Sequence, residues 1–251
     1  MKVVKIIPCL DTKDGRVVKG INFTGVKDVG DPVEMAKKYN SEGADELVIL
    51  DITASLENHE LRFKMVKDVK SAINIPLTVG GGIDSLDDAA KMFEAGADKV
   101  SIGTAAIKNP NFMKELVQKF GGGKIVAAID TKTVNDKEKV VIYGGTEVTD
   151  VDLIPWAKEI EKMGVGTILH TSWSKDGTKE GFDNKSLSEL ANNVSIPVVA
   201  SGGAGKIEDF ISAVKVGKAS ALLAASVFHY NEIKIKDLKQ ALAKEGIPVT
   251  K

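Results

Sequence analysis

Two aspartates follow short apolar segments and could transfer protons. Asp11 follows the run IIPCL, and Asp130 follows the matching run IVAAI. A single aspartate after a strand is most often a turn residue. If both runs are strands of one parallel sheet, however, their carboxyl ends lie on the same side, and the two carboxylates could act on different parts of one ligand. The matched pair therefore predicts general acid/base catalysis.

Glycine-rich segments form a second group of candidate site residues. TVGGGI spans residues 78–83 and ASGGAG spans 200–205, while SIGTAA (101–106) and LAASVF (223–228) contain small residues at further predicted strand ends. Glycine lets backbone N–H groups converge on an anion at the start of a helix. One such cluster is equally well explained by a tight turn. Two clusters in matching positions favour phosphate binding, and hence a ligand phosphorylated at both ends.

Two polar loops could close over such a ligand. SKDGTKEGFD, residues 174–183, offers the Gly177 N–H, and DTKDGRVVKG, which begins at Asp11, offers Arg16 and Lys19 on a flexible basic segment. Lysine acts as a point charge for phosphate. The alternative for each loop is an ordinary solvated surface segment.

Short β-branched runs alternate with amphipathic helical segments along the whole chain. Strands are predicted at residues 4–10, 46–51, 76–79, 99–102, 125–129, 167–171, 197–200 and 221–224. Helices are predicted at residues 32–42, 61–71, 86–95, 111–119, 151–163, 185–192, 207–216 and 235–244. Residues 131–145 are typical of an added hairpin. This alternation predicts a parallel sheet, either closed as a (β/α)₈ barrel or left open.

An internal repeat favours the closed barrel. Residues 75–96 align without a gap with residues 196–217, and the same offset places residue 42 on Met163. A nearby offset places Asp11 on Asp130. Any two β/α units share apolar strands and glycine turns, but here several units match in one order. We predict a single barrel domain, residues 1–251, made of half-barrels of about 1–122 and 123–251.

Composition excludes some classes of function. Lys and Arg number 34 against 35 Asp and Glu, for a net charge of -1, so no basic field favours nucleic acid or a membrane surface. The single cysteine, Cys9, cannot form an internal disulfide, which fits a reducing compartment. No leader and no membrane-spanning apolar run are recognised. We expect a cytoplasmic protein with no nucleic-acid partner.

Taken together, these motifs resemble one family over essentially the whole chain: the cyclase subunit of imidazole glycerol phosphate synthase. The resemblance is carried by IIPCLDTKDGRVVKG, DELVILDITAS, PLTVGGGI, GADKVSIGTAA, VAAIDTK, DGTKEGFD, PVVASGGAGK and LAASVFH. It implies that a glutaminase partner docks at the N-terminal face of the barrel and releases ammonia, which crosses the core. Ammonia then reacts with a bisphosphorylated ribulosyl aminoimidazole carboxamide ribonucleotide, giving imidazole glycerol phosphate and an aminoimidazole carboxamide ribotide. Neither a cofactor nor a metal is implied.

The resemblance also implies roles for individual residues. Asp11 and Asp130 would be the general acid/base pair, and Lys19 would close over the substrate. One phosphate would be held by Gly82 and Thr104. The other would be held by Gly177, Gly203, Ala225 and Ser226, with Asp176 beside this second group. Weaker candidates at strand ends are Asp51, Thr171 and Ser201. The ammonia gate would be formed by Lys5, Glu46 and Lys99.

Some positions depart from the pattern of that family. Thr167 stands where the gate usually has a second acid. Other departures are Gly103, Gly123, Ser174, His170 and Trp173. With only three histidines in the chain, a metal cluster is not expected, and we predict packing roles for His170 and Trp173.

Two alternative functions stay open at this point. One is the phosphosugar isomerase of the same pathway, which shares the barrel and needs no ammonia. The other is a non-catalytic, ammonia-conducting subunit or repurposed scaffold. The segment KDGRVVKG followed by DITAS favours the cyclase over the isomerase. Asp11, Lys19 and Asp130 argue against a pure conduit, which needs none of them.

Overall fold

Eight parallel strands close into a barrel in the computed structural model, which describes residues 2–21, 24–52 and 59–250. Each strand pairs with the next along the chain, and the last pairs with the first. The predicted (β/α)₈ barrel is therefore confirmed. The barrel strands are β1 (Lys5–Lys13), β4 (Leu47–Asp51), β5 (Leu77–Gly80), β6 (Lys99–Ile102), β7 (Ile125–Val134), β10 (Thr167–Ser172), β11 (Val198–Ser201) and β12 (Ala221–Ala224).

Four further strands form antiparallel extensions beyond the barrel. Those after β1 are β2 (Arg16–Ile21) and β3 (Thr24–Gly30), and those after β7 are β8 (Lys137–Ile142) and β9 (Glu147–Asp152). The hairpin predicted within residues 131–145 is thus confirmed as β7 and β8, with β9 added.

The prediction that the first strand stops at Asp11 is wrong. β1 continues to Lys13, because Thr12 and Lys13 pair antiparallel with β2. Asp14 and Gly15 have φ of 49° and 75° and make the tight turn between the two strands. The segment that we expected to be flexible is therefore a hairpin strand. Asp130 likewise lies within β7 and not at its end.

Helices cover the outside of the barrel, and all eight predicted helices are present within a few residues. They are α1 (Pro32–Ser41), α2 (His59–Ala72), α3 (Leu86–Glu94), α5 (Pro110–Phe120), α6 (Leu153–Lys162), α7 (Asn184–Asn193), α8 (Ile207–Lys215) and α10 (Ile235–Lys244). Three short helices in the described ranges were not predicted: α4 (Thr104–Lys108), α9 (Ser226–His229) and a 3₁₀-helical turn at Gly122–Lys124. The helix predicted from residue 151 begins at Leu153, because β9 occupies the preceding residues. No helix within the described ranges is long and apolar enough to cross a membrane.

Alternation along the strands separates an outer core from an inner one. The larger cluster packs between strands and helices, while a smaller one fills the barrel. The inner cluster consists of Ile7, Cys9, Val48, Val126, Leu169, Val199, Ala221 and Leu223. Because side chains alternate, Lys5 and Asp11 share the inward face of β1 with Ile7 and Cys9. Lys5 is therefore at the N-terminal rim and Asp11 at the C-terminal mouth.

Candidate active site

Asp11 forms a buried ion pair at the mouth. Its side chain lies on β1 and is only 6% exposed, and the Lys19 Nζ from β2 lies 2.7 Å from Asp11 Oδ2. Burial alone lowers the pKa of Lys19, but the charges of Asp11 and Asp176 outweigh burial and raise that pKa well above its usual value. Lys19 is therefore a permanent cation, which the β2–β3 hairpin places over the inside of the mouth.

Asp130 lies on the opposite side of the barrel. β7 is the fourth strand from β1 in either direction around the eight-stranded ring. Burial raises the pKa of Asp130 to about 6, even though the Thr171 hydroxyl hydrogen-bonds to the carboxylate and lowers it; the charge of Asp176 raises it further. Thr171 faces Asp130 in register on β10. A carboxyl with a pKa near neutrality can both accept and release a proton.

Asp176 connects the two sides of the mouth electrostatically. Burial and the charge of Asp11 raise its pKa, while Lys19 and the Gly177 N–H lower it by a smaller amount. The family resemblance places Asp176 only beside the second phosphate, but its charge also acts on Asp11, Lys19 and Asp130. The sequence could not reveal this proximity, because Asp176 lies in a loop where strand alternation gives no direction.

The first group of predicted phosphate residues comes from adjacent strands. Gly82 follows β5 and has a φ of 57°, and Thr104 begins α4 directly after β6. A Cβ at the neighbouring Gly81 would lie 2.1 Å from the carbonyl oxygen of Asp51, at the end of β4. Glycine is thus required here for close approach of the two backbones.

The second group surrounds the ends of β10, β11 and β12. Gly177 has a φ of 77° in the loop after β10, Ala225 and Ser226 start α9, and Ser201 ends β11. Gly203 is buried, and a Cβ there would lie 2.2 Å from the Gly181 carbonyl oxygen. Packing against the loop already explains the need for glycine at this position, so its contact with phosphate stays a prediction.

Charged residues cross the N-terminal rim of the barrel. Glu46 Oε1 lies 2.8 Å from Lys99 Nζ, and Glu46 Oε2 lies 3.3 Å from Lys5 Nζ. Burial raises the pKa of Glu46, but Lys99, Thr78 and Lys5 together lower it below its ordinary value. Thr167 contributes no carboxylate, so two cations share one acid.

Thr78 is a member of this rim cluster that the sequence analysis missed. Its hydroxyl donates to Glu46 Oε1 at 2.8 Å. Thr78 is paired in register with Lys99 on the next strand, so both side chains point inward at one level. A lone threonine in the otherwise apolar segment IPLTV was the available signal.

His170 is packed and hydrogen-bonded, as predicted. It is 1% exposed, on the outward face of β10, and its Nε2 lies 3.1 Å from Thr131 Oγ1. Burial lowers the pKa of His170 to about 4, although the charge of Asp183 opposes the change. His170 is therefore neutral near pH 7. Among the described residues, no group of three or more His, Cys, Asp or Glu side chains could hold a metal ion.

Replacing His170 by leucine is expected to make folding less sensitive to acid. The folded-state pKa of about 4 is below the ordinary value of 6.5, so this histidine's contribution to stability is present above pH 6.5 and is lost as pH falls towards 4. The difference between the folded and unfolded pKa values corresponds to a loss of about 2–3 kcal/mol in the free energy of unfolding near pH 4.5. Urea unfolding of both proteins between pH 7 and 4.5 measures it. Parallel pH profiles for His170→Leu and the unsubstituted protein would contradict the expectation.

The closed barrel and its polar mouth define the class: this chain is a (β/α)₈-barrel enzyme. It belongs to the histidine biosynthesis protein family, whose sequence profile matches residues 5–234. Among its relatives is the imidazole glycerol phosphate synthase subunit HisF of Flavobacterium psychrophilum, 51% identical over 249 residues and 99% of each chain. The protein of the same name from Cytophaga hutchinsonii is 51% identical over 100% of each chain. The one from Sulfurisphaera tokodaii is 52% identical over 99% of each chain.

Proposed function

We propose that this chain is the cyclase subunit of an imidazole glycerol phosphate synthase, acting in histidine biosynthesis. The observation that carries the proposal is the pair of opposed aspartates at the mouth, one held by Lys19 and the other with a pKa of about 6. Full-length relatives at about 51% identity bear that enzyme's name, which supports the same reaction.

The reaction condenses ammonia with the ketone of the bisphosphorylated ribulosyl substrate, then cleaves and cyclises the adduct. Asp130 exchanges protons with one part of the substrate, because its pKa lies close to the working pH. Asp11 acts on the opposite part. Lys19, which is paired with Asp11, supplies a fixed positive charge above the substrate. No cofactor takes part.

The two phosphates are assigned to the two halves of the mouth. Gly82 and Thr104 hold one, and Gly177, Gly203, Ala225 and Ser226 hold the other. Asp51 and Ser201, at the ends of β4 and β11, lie beside these groups. The elongated substrate thereby spans the mouth and brings its reactive centre between Asp11 and Asp130.

We assign the N-terminal rim to the glutaminase partner. Lys5, Glu46 and Lys99 form the gate there, and behind it the inner cluster surrounds the barrel axis with apolar side chains. Neutral ammonia crosses such a path more readily than ammonium, because burying an unpaired charge is costly. A cytoplasmic location is part of this proposal.

Glu46→Gln is expected to affect glutamine-driven turnover more than ammonium-driven turnover. The substitution leaves Lys5 and Lys99 without their shared carboxylate while the mouth is unaltered. With the glutaminase partner, glutamine-driven turnover should fall about tenfold or more, and saturating ammonium should restore it to within about threefold. Glu34→Gln, which removes a surface pair with Lys37, is the control. Equal losses with both nitrogen sources would contradict this role.

Product analysis separates the proposal from its two alternatives. The chain is incubated with the ribulosyl substrate or with its aldose precursor, each with and without ammonium salt. The cyclase releases imidazole glycerol phosphate from the ribulosyl substrate only when ammonium is present. Ketose formation from the aldose without ammonia would identify the isomerase, and no reaction with either compound would favour the conduit or scaffold.

The single-domain organisation with two half-barrels also remains a proposal. It is supported by a shared feature of the halves. The first strand of each, β1 and β7, runs past its aspartate into an antiparallel pair with the following strand.

A further inference from the structure

The turn between β8 and β9, residues 143–146, is attached to the phosphate residue Thr104. The Tyr143 N–H donates to Thr104 Oγ1 at 3.0 Å. Lys108, at the end of α4, lies 5.7 Å from the centroid of the Tyr143 ring and hydrogen-bonds with its hydroxyl. Although Tyr143 is half exposed, its turn therefore has two attachments to α4.

Trp173 holds the other side of the same turn. Its indole N–H donates to the Gly144 carbonyl oxygen at 3.3 Å. The ring lies so close to Gly145 that a Cβ there would be 1.8 Å from Nε1. Lys132 Nζ lies 4.5 Å from the indole centroid, and the Trp173 backbone N–H donates to the Thr131 carbonyl oxygen at 2.9 Å. Trp173 is thus fixed to β7 while it holds the turn.

This arrangement determines what the Thr104 hydroxyl can offer a ligand. A threonine hydroxyl has one donor and two acceptor positions. The Tyr143 N–H occupies an acceptor position, so the hydroxyl hydrogen must point away from Tyr143. A phosphate oxygen is an acceptor only, and it needs that hydrogen. A turn that holds Tyr143 in place therefore prepares Thr104 as a donor.

We propose that Trp173 is a positioning residue for the phosphate site at Thr104, acting through the 143–146 turn. The proposal rests on the proposed function in that the phosphate is taken to be one end of the substrate. It assigns to Trp173 a role that extends the packing role expected from the sequence.

Amide exchange at Tyr143 tests the geometry without any turnover. In the ligand-free protein, nuclear magnetic resonance should find this amide protected, and Trp173→Leu should speed its exchange about tenfold or more. Trp173→Phe keeps a ring beneath Lys132 but loses the N–H donor, so its effect should be smaller. Tyr230→Leu removes an exposed aromatic side chain elsewhere and should leave exchange at Tyr143 unchanged. An unprotected Tyr143 amide, or one unchanged by Trp173→Leu, overturns the proposal.

Steady-state kinetics then test the consequence for phosphate binding. Trp173→Leu should raise KM for the bisphosphorylated substrate about fivefold or more and leave kcat within about threefold, because a binding interaction away from the reacting atoms is lost. In a Thr104→Val background, Trp173→Leu should raise KM no further, because the hydroxyl through which Trp173 acts is already absent. A matching fall in kcat, or fully additive effects, overturns the proposal. Absence of turnover in the unsubstituted protein instead defeats the proposed function, while exchange at Tyr143 still decides whether Trp173 holds the turn.

Discussion

Asp130→Asn is expected to lower kcat by about 10²–10⁴-fold, the range typical for loss of a general acid or base. Asparagine is nearly isosteric and can still accept the hydrogen bond from Thr171, so the mouth should keep its shape. Binding of the bisphosphorylated substrate should therefore change by less than about threefold. Steady-state kinetics with ammonium, together with equilibrium binding, measure both quantities.

The exposed Asp150→Asn is the control and should be fully active. A variant at Asp130 that keeps more than about a tenth of the activity would remove this residue from the mechanism. A variant that loses binding as strongly as turnover would give Asp130 a binding role instead.

The same substitution should stabilise the fold at neutral and alkaline pH. The pKa of Asp130 is raised from 3.8 to about 6, so the stability that comes from its protonated form is present below pH 3.8 and is lost as pH rises through 6. Asparagine does not ionise, so the variant does not lose this stability as pH rises. Urea unfolding at pH 8 should give the variant a free energy of unfolding higher by up to about 3 kcal/mol, with the difference shrinking towards pH 4. Lower stability of the variant at pH 8 would contradict the buried, charged state that we assign to Asp130.

Lys239→Met is expected to destabilise the protein by about 3–5 kcal/mol, because it leaves a buried carboxylate without its ion-pair partner. Lys239 is 8% exposed, and its Nζ lies 2.8 Å from Asp45 Oδ1 and 2.6 Å from the Gly43 carbonyl oxygen. Asp45 Oδ2 also accepts a hydrogen bond from the Ile6 N–H at 2.7 Å. The pair thus ties α10 to β1 and to the loop before β4 at the N-terminal rim.

A surface pair provides the matched control for that measurement. Lys215 and Glu245 form an ion pair in which the side chains are 44% and 48% exposed, and Lys215→Met should cost less than about 1 kcal/mol. Adding Asp45→Asn to Lys239→Met should recover part of the lost stability, because the unpaired charge is removed. Equal costs for the two lysine substitutions in urea unfolding would show that burial does not strengthen the Lys239 pair.

The barrel strands could be predicted because their burial leaves a simple pattern. Strands that are covered on both faces consist of β-branched and aliphatic runs, and the glycine turns mark their ends. The antiparallel pairing of β1 with β2 does not follow from the predicted strands, although Asp14-Gly15 between them is a strong turn signal. RVVKGI reads as a flexible basic segment, because two of its six residues are charged. Only the tertiary structure shows that its Lys19 is turned inward to Asp11.

Candidate site residues could be predicted where the chain repeats itself, but not in the loops outside the repeat. The repeat identified Asp11 and Asp130, because equivalent positions in two half-barrels must face each other across the mouth. Asp176 and Trp173 lie in a loop, so neither periodicity nor the repeat indicates their neighbours. The pKa of Asp130 also depends on burial and on Asp176, which no local pattern records.

The central claim is that this mouth carries out ammonia-dependent cyclisation. The most direct measurement is the rate at which the isolated chain, at mildly alkaline pH with ammonium salt, consumes the ribulosyl substrate, followed by its loss of absorbance. We predict steady multiple turnover that rises with ammonium concentration and yields imidazole glycerol phosphate. Tight binding of the substrate without its conversion, at any ammonium concentration, would contradict the claim.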